Sequence, residues 1–273
     1  MRTFSRWMAL AVLGCGSAAY ADRNDVEVSK LGGATGVDAG ANARFETFTR
    51  SLGAALTSAN LMPPETLGHA GFSVNMELGV VALALPEDTP YPSITGQAPI
   101  LPLLVPSIHV RKGLPFSVEL GGRVGWIDRS SLFAATGEAK WAFNEGFTWL
   151  PDAGVRLHVT SLMGARDFSL TAAGVDLGVG KQFPLGGMVT LTPYGGVDFV
   201  NVSARSDLID FRQNAAAAAL LGRFAPVSAV NTRFYGGARF IGGVLQLGAE
   251  LSLTTQGSIP SVFAFNSTIG LDF

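Results

Sequence analysis

The last eleven residues of the chain, FAFNSTIGLDF (263–273), decide the fold. Apolar side chains stand at five of its six odd-numbered positions, with Ser267 at the sixth: Phe263, Phe265, Ile269, Leu271 and Phe273. The residues between them are small or polar. Because successive side chains of a β-strand point to opposite faces, the alternation predicts a strand with one apolar and one polar face.

The same alternation recurs nine times upstream. The stretches are Phe72–Val80, Ser107–Arg111, Phe116–Trp126, Glu138–Phe143, Val155–Thr160, Gly174–Gly180, Val189–Phe199, Arg233–Phe240 and Leu245–Thr254. The second is the weakest, because Pro102 and Pro106 limit its hydrogen-bond ladder. The total is about ten strands, with 8–12 as the range, and ten is an even number, as a closed bacterial barrel requires.

On these residues the chain resembles bacterial outer-membrane β-barrels, whose last strand alternates in this way and ends in Phe. The resemblance implies an all-β fold, a transmembrane antiparallel up-and-down β-barrel whose outer face meets outer-membrane lipid. It also implies that the barrel-assembly machinery recognises the terminal strand, with Phe273 as the assembly signal.

The first 21 residues are typical of a secretory signal peptide. Arg2 and Arg6 give a positive start, Trp7–Gly16 is a short apolar core, and Ala19-Tyr20-Ala21 fits a cleavage site. We expect cleavage after Ala21 and localisation in the bacterial outer membrane. Lipidation at Cys15 is the alternative, because the residues before it loosely resemble a lipoprotein cleavage box.

Composition excludes several classes of function. The chain has 273 residues, 48% hydrophobic and 15% charged, with a formal net charge of −2, so no basic surface for nucleic acid is expected. Cys15 is the only cysteine, so the mature chain has no disulfide. Three histidines (His69, His109 and His158) make a metal site improbable. No cofactor motif is present, and no cofactor is expected.

Residues 22–68 form a segment before the barrel domain, which we place at 69–273. The segment begins as a polar, Gly-rich leader without period, in which Asp25–Lys30 is a candidate extra strand. Asn42–Ser58 follows as a short amphipathic helix. Its apolar residues are spaced by three or four: Phe45, Phe48, Leu52 and Leu56. The helix either plugs or caps the barrel mouth, rests on the periplasmic surface, or packs without any gating role.

Connections between strands should be short on the periplasmic side and long on the extracellular side. The expected periplasmic turns are Lys112–Pro115, Asn144–Pro151, Phe183–Gly187 and Gly242-Gly243. The opposite side receives Pro86–Leu101, Arg129–Ala135 and Ser203–Ser228.

The polar face of the strands is expected to line the barrel lumen. The candidate lumen-lining residues are Glu77, Glu119, Arg123, Glu138, Lys140, Arg156, His158, Asp176, Asp198, Arg233, Arg239 and Glu250, joined by Arg111 and Asp272. One interpretation is a salt-bridged, filled core, because unpaired buried charges are costly. The other is a polar pathway or small-ligand site, since many inward glycines leave space for water, a ligand or the helix.

Two functions follow from the pattern. The first is a channel or transporter for a small solute, with a narrow polar lumen. The second is a structural or surface-interaction barrel that displays loops 86–101 and 203–228 without transport. An outer-membrane hydrolase is a weaker alternative, because no catalytic constellation is found: Asp207 and Asp210 lack a neighbouring His, and His158 precedes Thr160 rather than a Ser two positions on. A secreted soluble barrel would hide its apolar face inward.

Overall fold

The computed structural model describes residues 21–33, 36–57, 59–187, 189–212 and 218–273. The predictions of a signal peptide and of lipidation at Cys15 fall on residues 1–20, which lie outside the described residues. The rest of the chain forms a β-barrel with one α-helix and one short 3₁₀ helix before the first strand.

Ten long antiparallel strands form the barrel wall. They are β1 Phe72–Ala82, β2 Leu103–Leu114, β3 Val118–Trp126, β4 Phe133–Asn144, β5 Asp152–Met163, β6 Phe168–Gly180, β7 Val189–Ser206, β8 Val227–Gly242, β9 Leu245–Gln256 and β10 Ile259–Asp272. Each strand pairs with the next along the chain, and β10 pairs with β1, which closes the sheet. The predicted fold class, an all-β up-and-down barrel of ten strands, is confirmed.

Side-chain alternation separates two environments across the wall. On β1, Val74, Met76 and Leu78 point outward and are exposed, whereas Asn75 and Glu77 are buried inside. The outer face is apolar over the length of about ten residues that a membrane-spanning strand needs. The predicted alternation therefore describes an apolar exterior and a polar interior.

The two ends of the barrel differ, as predicted. One end, which we call the turn end, carries short connections such as 115–117 and 243–244. The other, the loop end, carries 83–102 and 207–226, which correct the predicted limits of the two long loops. Both strands flanking the second loop run farther than predicted, and that loop contains a small hairpin of Ile209–Asp210 with Leu221–Gly222. The third loop shortens to 127–132.

Strand β2 is also longer than predicted. It spans twelve residues, and Pro106 lies within it opposite Leu78 of β1. Pro106 is therefore accommodated within the strand. The short strand Phe183–Leu185 pairs with the start of β7, inside a connection predicted to be a turn.

The predicted helix exists but begins and ends earlier. Helix α1 spans Ala39–Leu56, and the side chain of Asp38 caps it by accepting a hydrogen bond from the Ala41 amide. The candidate strand Asp25–Lys30 is wrong: Val28–Leu31 is a 3₁₀ helix, and only Val26 makes an isolated β-bridge, to Ser93. Among the residues that the structure describes, no helix has both the length and the apolar character needed to cross a membrane.

The segment before β1 passes through the barrel. Residues 22–33 contact the loops at the loop end, and α1 packs against the inner faces of β6 to β10. Residues 59–71 then run along the lumen to the turn end, where the Gly113 amide of β2 donates to the Gly71 carbonyl. The barrel interior is therefore occupied by the chain itself.

Candidate functional site

The lumen is the candidate functional site, because the polar side chains of ten strands converge there. The structure places all twelve candidate lumen-lining residues in the barrel interior, each at most 9% exposed. They are Glu77, Glu119, Arg123, Glu138, Lys140, Arg156, His158, Asp176, Asp198, Arg233, Arg239 and Glu250. Arg111 and His109 join them, both at most 1% exposed.

His109 on β2 lies between two carboxylates. Its Nδ1 is 2.8 Å from Glu77 and its Nε2 is 2.9 Å from Glu138. Arg123 pairs with Glu77 at 2.9 Å, and Arg111 donates to Glu138 at 3.0 Å. Both nitrogens of the imidazole ring therefore lie within hydrogen-bond distance of a buried carboxylate.

A second group continues across β5 to β8. Arg156 bridges Glu138 and Asp176, at 2.8 Å to each. His158 lies 3.0 Å from Asp198, which also pairs with Arg233 at 3.3 Å. Acids and bases thus alternate around the wall, and the ion pairs offset the cost of burying charge.

The remaining lumenal charges hold the threaded segment 59–71 rather than an open space. Lys140 pairs with Glu119 at 3.0 Å and also donates to the Glu65 carbonyl at 2.8 Å. Glu250 accepts from the Leu61 amide at 2.9 Å, and Arg239 forms an ion pair with Glu65. Segment residues therefore satisfy the wall charges much as a bound peptide would.

Further contacts of this kind lie along the segment. Arg111 donates to the Asn60 carbonyl at 2.6 Å, and Glu119 accepts from the Leu67 amide at 3.1 Å. At the turn end, Glu145 accepts from the Thr66 amide at 2.8 Å. Backbone groups of the segment thus pair with side chains of the barrel wall. Without these partners or water they would be buried and unpaired.

The loop half of the lumen is apolar instead. Phe45 of α1 stacks on Phe224, with ring centroids 4.6 Å apart, and meets Phe168 edge-on at 6.4 Å. Gly53 lies against Val202 of β7, so closely that a Cβ there would be 2.7 Å from a Val202 methyl group. The helix is therefore packed as a core element.

A reversal of the alternation marks this apolar half in the sequence. At the loop end of β7 the inward residues become apolar, namely Val200, Val202 and Ala204, while outward Asn201 and Arg205 are polar and exposed. Sequence reasoning missed this signal. It indicates that this end of the strand extends beyond the lipid and that its inner face packs on an apolar partner inside the barrel.

Little space remains in the lumen. An enclosed cavity lined by Thr57, Arg123, Arg233 and Asn266 measures about 10 Å³, room for about one water molecule. The space beside inward glycines is taken by the segment or by wall side chains: a Cβ on Gly180 would lie 2.9 Å from Cδ of Pro64, and one on Gly121 would lie 2.6 Å from Oε1 of Glu138. Over the described residues, no group of three or more His, Cys, Asp and Glu side chains is placed to hold a metal ion.

Comparisons with known proteins add the following. No protein-family model matches the chain, and no curated protein matches it. Among solved structures, Neisserial surface protein A (NspA) is 12% identical, with 75% of this chain and 100% of that chain covered and a TM-score of 0.30. The β-domain of the Bordetella autotransporter BrkA is 13% identical, with 75% and 100% covered and a TM-score of 0.36. Ail, the attachment invasion locus protein of Yersinia pestis, in complex with a heparin analogue, is 9% identical, with 75% and 99% covered and a TM-score of 0.30.

The geometry of this chain defines its class. A closed barrel of ten antiparallel strands, apolar outside and charged inside, with short turns at one end and long loops at the other, is a bacterial outer-membrane β-barrel. Its lumen is filled by its own N-terminal segment.

Proposed function

We propose that this protein is a closed outer-membrane barrel that presents an extracellular surface and does not conduct solutes through its lumen. The observation that carries the proposal is the filled lumen. Helix α1 occupies the loop half, and residues 59–71 occupy the turn half through hydrogen bonds to wall charges. Of the two functions that the sequence suggested, this supports the structural or surface-interaction barrel.

The presented surface is composite. The loops 83–102 and 207–226 supply most of it, and residues 22–33 lie among them: Lys30 donates to the Ser93 and Ile94 carbonyls at 2.5 and 2.8 Å. Loop backbone is thus fixed by the N-terminal segment, which favours a preorganised surface over mobile loops. In barrels of this class the long loops face the cell exterior.

The small-solute channel is the second candidate, and one feature favours it. A cleft of about 470 Å³ lies between Ala39–Glu46 at the start of α1 and Ala225–Ser228. Non-covalent contacts hold α1 in place, and the cleft leaves space beside the first turns of the helix. A channel of this kind would open only when the helix leaves the wall.

A disulfide lock distinguishes the two candidates. A Cβ on Gly53 lies 3.4 Å from Cβ of Val202, close to disulfide geometry, so the pair Gly53→Cys and Val202→Cys should fix α1 to β7. The proposal expects no conductance in planar bilayers from the wild type or from the locked protein, before or after reduction. Conductance in the wild type that is lost in the oxidised variant and restored by reduction would establish the channel instead.

Surface presentation is tested by labelling intact cells with a membrane-impermeant maleimide. Cysteines at Asp88 and Leu208, both exposed at the loop end, should react in intact cells. The control is Phe116→Cys, at a side chain 91% exposed at the turn end, which should react only after the outer membrane is permeabilised. The reverse pattern would refute the orientation.

A further inference from the structure

The residues that directly follow the predicted cleavage site are held more tightly than a leader requires. Asn24 is 1% exposed and Asp25 is 9% exposed, although both lie at the barrel mouth. The holding groups come from the loops 83–102 and 127–132. Two loops far apart in sequence thus converge on four residues, 22–25.

Asn24 makes four hydrogen bonds to the loops. Its side-chain amide donates to the Asp128 carbonyl at 2.9 Å, and its Oδ1 accepts from the Ile100 amide at 2.9 Å. Its own backbone amide donates to the Arg129 carbonyl at 3.0 Å. The Tyr91 hydroxyl donates to its carbonyl at 2.7 Å. These contacts fix the course of the backbone. They place the backbone nitrogen of Asp22 next to the side-chain carboxylate of Asp25.

The two carboxylate oxygens of Asp25 accept hydrogen bonds from two different residues, Ser131 and Asp22. Its Oδ1 accepts from the backbone amide and hydroxyl of Ser131, at 2.6 and 2.8 Å. Its Oδ2 accepts from the backbone nitrogen of Asp22 at 2.8 Å. Burial, together with the charge of Asp25, raises the pKa of Tyr91, so the nearby phenol stays neutral. Among the described residues, the group that donates to Oδ2 is the nitrogen that cleavage after Ala21 would release.

We propose that these two loops form a binding site for the mature N-terminus of the chain, in which Asp25 receives the α-ammonium group of Asp22. Hydrolysis of the Ala21–Asp22 peptide bond adds one water, leaves a carboxylate on Ala21 and converts the Asp22 amide into an ammonium. The contact at 2.8 Å, in which only the acceptor is charged before cleavage, then joins two opposite charges and gains Coulomb attraction. The site therefore favours the processed chain over the unprocessed one and locks the segment that fills the lumen.

A double-mutant cycle on exported, detergent-extracted protein tests the proposal. Its four members are the wild type, Asp25→Asn, a chain with one glycine inserted between Ala21 and Asp22, and the chain with both changes. Mass spectrometry gives each N-terminus. The readout is the rate of tryptic cleavage after Arg23 and Lys30, which follows local opening of the segment. Asp88→Asn is the control, since it removes one exposed carboxylate from the same end of the barrel.

We expect Asp25→Asn to raise the cleavage rate of the native N-terminus by roughly tenfold or more, the effect of losing a hydrogen bond between charged groups. In the glycine-extended chain the same substitution should have a clearly smaller effect, because no ammonium group is left at Oδ2. Selective acetylation of the α-amine of the wild type likewise makes the Asp22 nitrogen a neutral amide, by a second route, and should match the glycine-extended chain. Equal factors in the native and extended chains would overturn the proposal, as would a wild-type N-terminus other than Asp22.

Discussion

Replacing Phe45 by alanine should release α1 from the lumen while leaving the barrel wall intact. Phe45 is fully buried, stacks on Phe224 and contacts Phe168 edge-on. Phe→Ala changes in a protein core cost about 3–5 kcal/mol, because transfer free energy is lost and a cavity remains. At about 1.4 kcal/mol for each factor of ten, the opening equilibrium of α1 should rise by roughly 100- to 4,000-fold.

The assay is thiol labelling at a buried position of the helix. Ser51 of α1 is 0% exposed, and the mature chain contains no other cysteine if cleavage follows Ala21, so Ser51→Cys reports on opening alone. The matched control is Phe234→Ala, which removes the same side chain from the lipid-facing wall. Labelling that accelerates equally in both variants, or in neither, would refute the interpretation of α1 as a core element of the barrel.

Three further predictions concern the threaded segment and assembly. Lys140→Met should destabilise the docking of residues 59–71 by up to about 3–5 kcal/mol, because buried Glu119 loses its nearest cation and keeps Arg111 only at 3.8 Å; the additional change Glu119→Gln should restore part of the loss in thermal unfolding. Gly180→Ala should lower the thermal unfolding temperature, since its Cβ would lie 2.9 Å from Pro64, whereas Gly137→Ala, with no atom within 4 Å, should be neutral in the same measurement. Phe273→Ala should lower the heat-modifiable fraction in outer-membrane extracts if the terminal Phe is the assembly signal, and an unchanged fraction would count against that role.

The barrel was predictable from the sequence because lipid imposes period 2 on every strand that it touches. The alternation predicts each strand only as far as its outer face contacts lipid. At Asn201 the outward residues of β7 turn polar, and the strand nevertheless continues to Ser206 because its inner face packs on α1. The prediction also began β2 too late, after a proline that the ladder accommodates opposite Leu78.

The content of the lumen was only partly predictable. The spacing of Phe45, Phe48 and Leu52 indicated an apolar helix face, but the location of its partner depends on tertiary contacts that one sequence does not encode locally. The wall charges were identified by alternation. Their role in binding backbone groups such as the Leu61 amide could not be inferred, because residues 59–71 carry no regular pattern.

Disulfide formation between positions 53 and 202 tests the placement of α1 inside the barrel most directly. In cells that produce the Gly53→Cys, Val202→Cys protein, we predict that the two thiols join under mild oxidation, because the Cβ atoms lie 3.4 Å apart. Gly53→Cys with Phe199→Cys, on the outward face of the same strand, should stay unjoined. Free, reactive thiols in the first pair, or equal cross-linking in both pairs, would contradict a lumen filled by this helix.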